Sequence, residues 1–312
     1  MKLNIPTSAQ FSEKGKYPLV SIGVPVRNGG ESLAESLQLL VSQTYPNIEI
    51  IISDNASEDA TAEIIRSFAN ANPYIRVYHQ KQTLSAIQNF RFVFDQSRGQ
   101  YFMWASDDDR RDCNYVELLV QALESNSSAC LAFGQTYLFT NHENWRTNNT
   151  LYAFDYTFSS TLSLYARALM FGRRDLFFNI YGLIRTQALK KYDWGTTEDY
   201  MPDLPIMVFL AMNGEFLQAN HCPFYYYYEE KSSQERSLDN SLRKIKPCPE
   251  IRVSWSAATT AVQAMKPVFK TPKSVFLFLQ IYASRFWRRI KPKIFELSPD
   301  FVVTVYRKLF KK

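Results

Sequence analysis

Tyr101-Phe102-Met103-Trp104-Ala105-Ser106-Asp107-Asp108-Asp109 joins five apolar residues to three consecutive carboxylates. The apolar run predicts a buried strand with the carboxylates at its carboxyl end. In an α/β sheet that edge is where ligands bind. Three like charges side by side repel one another, and a divalent cation neutralises them best. Hard carboxylate oxygens suit Mg²⁺ or Mn²⁺, and such a cation in turn holds a diphosphate. The same triplet also fits an acidic, solvated turn between strand and helix.

Upstream, strands and helices alternate. Leu19 to Val26 predicts a first strand. Glu31 to Gln43 carries Leu33, Leu37, Leu40 and Val41 at helical spacing. Ile48 to Ser53 predicts a second strand. Ser57-Glu58-Asp59 offers N-cap chemistry for a helix over 60–70. Ile75 to Tyr78 predicts a third strand, and Leu84 to Gln96 a third helix ended by Gly99. Short connections between alternating elements predict an α/β fold with a doubly wound, largely parallel sheet flanked by helices. After Cys130 the alternation weakens. Residues 141–163 predict long loops, Leu164 to Met170 and Leu204 to Met212 helical pieces, and 229–250 a mobile linker.

The first strand runs into Arg27-Asn28-Gly29-Gly30, with neither G-x-G-x-x-G nor a Walker pattern. Dehydrogenase and P-loop readings are thereby disfavoured. Four scattered cysteines and three histidines argue against a zinc site or a disulfide framework, and for reduced thiols. The net charge of +6 is uneven: Lys266 to Lys312 holds twelve Lys/Arg against two Asp/Glu, so the rest carries −4. A slightly acidic body argues against a nucleic-acid groove across it. Residues 1–18 lack an apolar h-region, and no stretch reaches the roughly 18–20 apolar residues of a spanning helix.

Two segments resemble the family 2 glycosyltransferases of the GT-A fold. One is Val20-Ser21-Ile22-Gly23-Val24-Pro25-Val26-Arg27-Asn28. The other is the stretch from Ser42-Gln43-Thr44-Tyr45-Pro46 through Ile50-Ile51-Ile52-Ser53-Asp54-Asn55 to Asp59-Ala60-Thr61. Asp107-Asp108-Asp109 falls where that family carries its D-x-D-type metal motif. The resemblance covers roughly residues 18–230.

The resemblance implies a nucleoside-diphosphate sugar, UDP-linked by expectation, across the carboxyl edge of the first strands. Pro25 and Asn28 match positions lining base and ribose, and Asp54 matches the acid that accepts from the nucleobase. Taken alone, Asp54 also fits an Asx turn or cap. Asn89 matches the "A-x-N" position, but Gln88 stands where Arg is common, so Lys81 becomes the candidate phosphate contact. Asp107 matches a ribose or metal contact, while Asp108 and Asp109 match Mn²⁺ or Mg²⁺ ligands. Asp203, ahead of an apolar stretch ending at Gly214, matches the catalytic base, with Pro202 in place of Glu; Asp199 is second choice. Asp203 equally suits a helix N-cap. Gly182, Arg185 and Trp194 fall on the expected acceptor side.

The implied chemistry is metal-dependent, inverting sugar transfer to a saccharide or lipid-linked saccharide. The rivals are a nucleotidyltransferase on a similar sheet and a non-catalytic nucleotide-sugar-binding scaffold at a membrane. The expected division is a polar lead over 1–17, a catalytic domain over 18–230, a linker over 231–250 and a basic amphipathic helical region over 251–312. That last region suits an anionic membrane surface or packing on the domain. The expected location is cytoplasmic, peripheral on the inner face of the membrane.

Overall fold

The computed structural model describes residues 17–151, 177–194 and 203–228. The polar lead up to residue 16, the expected helix over 164–170, the linker and the basic C-terminal region lie outside the described residues. The chain forms two compact units. One comprises residues 1–157, 178–190 and 215–230; the other comprises 158–177, 191–214 and 231–312.

The first unit is built on one sheet, with nine strands among the described residues. The alternation expected from the sequence is present. It runs β1 (Val20–Val26), α1 (Gly30–Val41), β2 (Ile48–Asp54), α2 (Thr61–Ala71), β3 (Ile75–His79), α3 (Ala86–Asp95) and β4 (Tyr101–Trp104). These four strands are mutually parallel in the order β3-β2-β1-β4. β2 is buried along its whole length and β1 almost so, because helices cover both faces. On α1, Leu33, Ser36, Leu37 and Leu40 are buried, a stripe of helical period.

The remaining strands extend the sheet beyond β4. They are β5 (Arg110–Arg111), β6 (Ala129–Phe139), β7 (Asn149–Leu151), β8 (Leu183–Arg185) and β9 (Glu215–Tyr227), with α4 (Tyr115–Ser125) and the single turn α5 (Thr186–Leu189). β8 lies antiparallel between β4 and β6, while β9 runs parallel to β6. The sheet is therefore mixed but mostly parallel. β6 and β9 are its longest strands, and the sequence pattern did not announce them. β9 contains the Tyr225-Tyr226-Tyr227 run, which carries no alternation of polarity. β7 falls inside the segment expected to be loop.

Two local details explain sequence choices. Ser85 and Gln88 form a capping box at the start of α3, each side chain bonded to the other's backbone N–H. Gln88 thus has a structural task of its own. Asp59 accepts from the backbone N–H of Thr61 and of Gly30, tying the starts of α2 and α1 together.

At the amino end of the sheet one buried carboxylate joins three strands. Glu49 accepts from Ser21 Oγ at 2.6 Å, from Arg98 N at 2.8 Å and from Arg76 Nη1 at 2.9 Å. Ser21 Oγ in turn accepts from Gly99 N at 2.7 Å. Arg185 belongs to the same end. Its guanidinium donates to the carbonyls of Ala129 and Leu123 and to Tyr101 Oη, stitching β8 to β4, α4 and β6. Glu49→Ala should lower unfolding stability by about 2 kcal/mol, because Ser21, Arg98 N and Arg76 lose a shared acceptor. Urea denaturation would measure it, and Glu49→Gln should recover part of the loss.

Candidate functional site

The opposite, carboxyl edge collects most of the sequence-predicted residues. β1 ends at Val26, and the chain turns through Asn28 and Gly30 in the left-handed region, φ +53° and +51°. Asn28 accepts from Glu58 N through Oδ1 and donates its own N–H to Ser57 Oγ. Its side chain therefore holds two loops together. Pro25 precedes this turn, opposite Ser53 in register.

Asp54 ends β2 and is buried. Oδ1 accepts from Ser57 N at 3.1 Å, and Oδ2 meets His79 Nδ1 at 3.1 Å. His79 ends β3 directly opposite it. Lys81 follows, exposed beyond the strand.

The acidic triplet follows β4. Ser36 Oγ on α1 donates to the carbonyl of Ser106 and fixes the entry to it. Asp107 packs against the β1–α1 turn. A Cβ on Gly29 would lie 3.0 Å from Asp107 Oδ2 and 2.8 Å from Val26 Cγ2, so glycine makes room for the carboxylate. Burial, then repulsion from Asp108, pushes the Asp107 carboxyl up to about 6. Ser106 Oγ lies within hydrogen-bond distance of Asp108 Oδ1 at 2.5 Å and of Asp107 Oδ1 at 3.3 Å.

Asp109 is 1% exposed. Its Oδ1 accepts from Tyr227 N on β9 at 3.1 Å, while buried Oδ2 has no hydrogen-bond partner. Burial and Asp108 raise its pKa well above the usual carboxylate range, with Arg111 opposing.

Arg110 and Arg111, forming β5, are both fully buried. Arg110 pairs with Glu35 on α1 at 2.8 Å and reaches His142 Nδ1 at 3.2 Å. Glu35 also accepts from Trp145 Nε1. None of the three Arg111 nitrogens has a hydrogen-bond partner; its guanidinium lies 5.8 Å from the Phe224 ring centroid. Sequence reasoning weighed the three negative charges and passed over these two positive ones, although Arg110-Arg111 follows without a gap.

A divalent cation fits this set in one respect. Asp109 Oδ2 is a buried acceptor beside a second carboxylate, which is costly unless a cation or donor meets it. Among the described residues no three Asp, Glu, His or Cys side chains converge on one point. Among the described residues the site thus offers at most a carboxylate pair, and a cation held there would take further oxygen ligands from elsewhere, as suits Mg²⁺ or Mn²⁺.

Four further expected residues have packing roles of their own. Asn89 is buried, accepting from Ser53 Oγ at 2.6 Å and donating to the Ser53 carbonyl, so it fastens α3 to β2. At Gly182 a Cβ would meet the Ala132 carbonyl oxygen at 2.4 Å, so the glycine lets β6 approach closely. Arg185 sits at the amino end of β4, opposite Tyr101 and away from the triplet. Trp194 is buried edge-on against Tyr192. Asp203 opens α6 (Asp203–Asn213) in the second unit, and Asp199 lies outside the described residues.

Comparison with known proteins agrees with the fold. Residues 21–191 match glycosyl transferase family 2. Glycosyltransferase GlyG of Streptococcus pneumoniae serotype 4 is 33% identical over 110 residues, covering 35% of this chain and 36% of that protein. YibD of Escherichia coli K12, an uncharacterised glycosyltransferase, is 28% identical over 108 residues, covering 34% and 31%. The matched stretch thus spans about a third of each relative. Among solved structures, S. aureus TarS 1-349 in complex with UDP-GlcNAc superposes with a TM-score of 0.55 at 12% identity. That match covers 93% of this chain and 71% of the other. A complex of the same protein with UDP gives 0.54 at 12% identity, covering 90% and 94%. These structures share the fold.

The Asp107 pKa predicts a pH dependence. A carboxyl raised in the folded state binds its proton more tightly there than when unfolded. Its stabilising contribution is full below the unfolded value near 4 and is lost as pH rises through about 6. With divalent cations chelated, Tm should fall more between pH 4.5 and 7 in the wild type than in Asp107→Asn. Equal falls would contradict the burial argument.

Proposed function

This chain belongs to glycosyl transferase family 2, and on that premise we propose that it transfers a sugar from a UDP-sugar to a saccharide or lipid-linked saccharide, with inversion. The observation that carries the reading is the carboxyl edge itself. Asp54 ends β2, and Asp107 and Asp108 follow β4, the two strands that flank β1, while buried Asp109 Oδ2 has no hydrogen-bond partner. The choice of uridine leans on TarS, whose structures hold UDP-GlcNAc and UDP.

In this reading Asp108 and Asp109 hold a divalent cation, which supplies positive charge to the departing diphosphate when bound. The chain's own residues do the rest. Asp54 and its surroundings bind the nucleoside, and Asn28 keeps the β1–α1 turn open beside it. Lys81, exposed at the end of β3, offers charge to a phosphate. Asp203 is the proposed base that takes the proton of the acceptor hydroxyl as it attacks the anomeric carbon. A single displacement by one base gives inversion. No helix among the described residues is long and apolar enough to cross a membrane. For a lipid-linked acceptor, the basic stretch over 266–312 is the proposed contact with the anionic inner face of a membrane.

A thermal-shift series with UDP, GDP, dTDP and CDP, each with Mn²⁺, Mg²⁺ or chelator, tests the donor site. UDP with Mn²⁺ or Mg²⁺ should raise Tm by several degrees, and Asp108→Ala/Asp109→Ala should abolish the cation-dependent part. The cation effect should strengthen from pH 5 to 7, because protons compete for raised carboxylates. Asp203→Asn should retain UDP binding and lose at least about 100-fold in transfer rate. Retained transfer in that variant would remove Asp203 from the mechanism. Nucleotide binding with no transfer by the wild type to any saccharide acceptor would favour a binding scaffold.

A further inference from the structure

The base-binding end contains a pair that the family resemblance does not supply. Asp54 is the expected hydrogen-bond acceptor for the nucleobase, yet its side chain is only 6% exposed and both of its oxygens are engaged. Ser57 N occupies Oδ1, and His79 Nδ1 faces Oδ2 at 3.1 Å. The His79 side chain is 57% exposed and ends β3 directly opposite Asp54. What this edge presents to a ligand is therefore an imidazole carried on a buried carboxylate.

Building on the reading of a nucleotide-sugar site, we propose that His79 is the residue that meets the nucleobase, and that Asp54 acts through it as a positioning residue. The chemistry follows from the pair. A carboxylate only accepts, so Asp54 selects the His79 tautomer with its proton on Nδ1. Nε2 of the neutral ring is then an acceptor held in a fixed direction. It suits a base with an N–H on its pairing edge. Uracil offers N3–H there, whereas cytosine has an acceptor at N3. The same logic, a carboxylate fixing one imidazole nitrogen so that the other has a defined role, operates wherever histidine is oriented by an acid.

The chain has three histidines, His79, His142 and His221, so ring ¹⁵N signals can be assigned by single substitution. In the free protein His79 should show the Nδ1–H tautomer, and UDP should shift its Nε2 resonance while leaving His142 and His221 in place. Asp54→Asn should shift His79 toward the other tautomer. By calorimetry, His79→Phe should weaken UDP about tenfold, the equivalent of one hydrogen bond. Asp54→Asn should weaken it comparably, and the double variant should be no worse than either. UDP methylated at N3 should bind the wild type about tenfold less well and His79→Phe no less well than UDP. UDP binding with an unmoved His79 signal, or additive losses, would overturn this inference and return the base contact to Asp54 while leaving the site reading intact. Absence of binding by any of UDP, GDP, dTDP and CDP would overturn both.

Discussion

The site rests on charge compensation in a dry place. Asp107, Asp108 and Asp109 leave β4 together, and Arg110 and Arg111 follow immediately into β5, fully buried. Neither group is tolerable alone: an isolated buried ion costs several kcal/mol. The arginines partly offset the carboxylates, Arg110 acting on Asp107 and Arg111 on Asp109. The offset is incomplete. Asp107 is still raised to about 6, and Asp109 Oδ2 and the Arg111 nitrogens remain without hydrogen-bond partners. In the proposed reading a divalent cation would reduce this residual imbalance and the diphosphate would bind through it.

The two edges of the sheet divide the labour. At the amino edge Glu49 and Arg185 spend their hydrogen-bonding capacity on the protein, linking β1, β2, β3, β4, β6 and β8. At the carboxyl edge the groups are tied only in part. Asn28 and Asp54 are fixed by backbone N–H groups, which sets their position, while His79 and Lys81 stay exposed. Rigid supports carrying a few exposed groups are what a binding edge requires.

Much of this was legible in the chain. The strand and helix order up to β4 followed from periodicity and short connections, and the gathering of carboxylates at one edge followed from where they end strands. Asp54 and the triplet were located by their motifs. The packing roles of Asn89, Gly182, Arg185 and Trp194 were not legible in the chain, for one physical reason. Each is a residue type that serves equally in binding and in fastening elements, and only the neighbours decide. Asn89 found Ser53, Gly182 found the Ala132 carbonyl, Arg185 found three carbonyls and a phenol, and Trp194 found Tyr192. β6 was missed because a strand buried between neighbours loses the alternation that marks a half-exposed one; β9, only partly buried, was missed because its irregular middle and its tyrosine run break the alternation.

By itself the sequence determined the α/β class, the order of elements along the chain up to β4 and the position of an acidic edge. These depend on local patterns: apolar runs, helical stripes, turn residues and adjacent charges. The tertiary structure alone decided which polar groups remain available. It placed His79 on Asp54 across 25 residues of chain and Tyr227 N on Asp109 across 118. Hydrogen-bond satisfaction is a property of packed neighbours, and no local pattern encodes it.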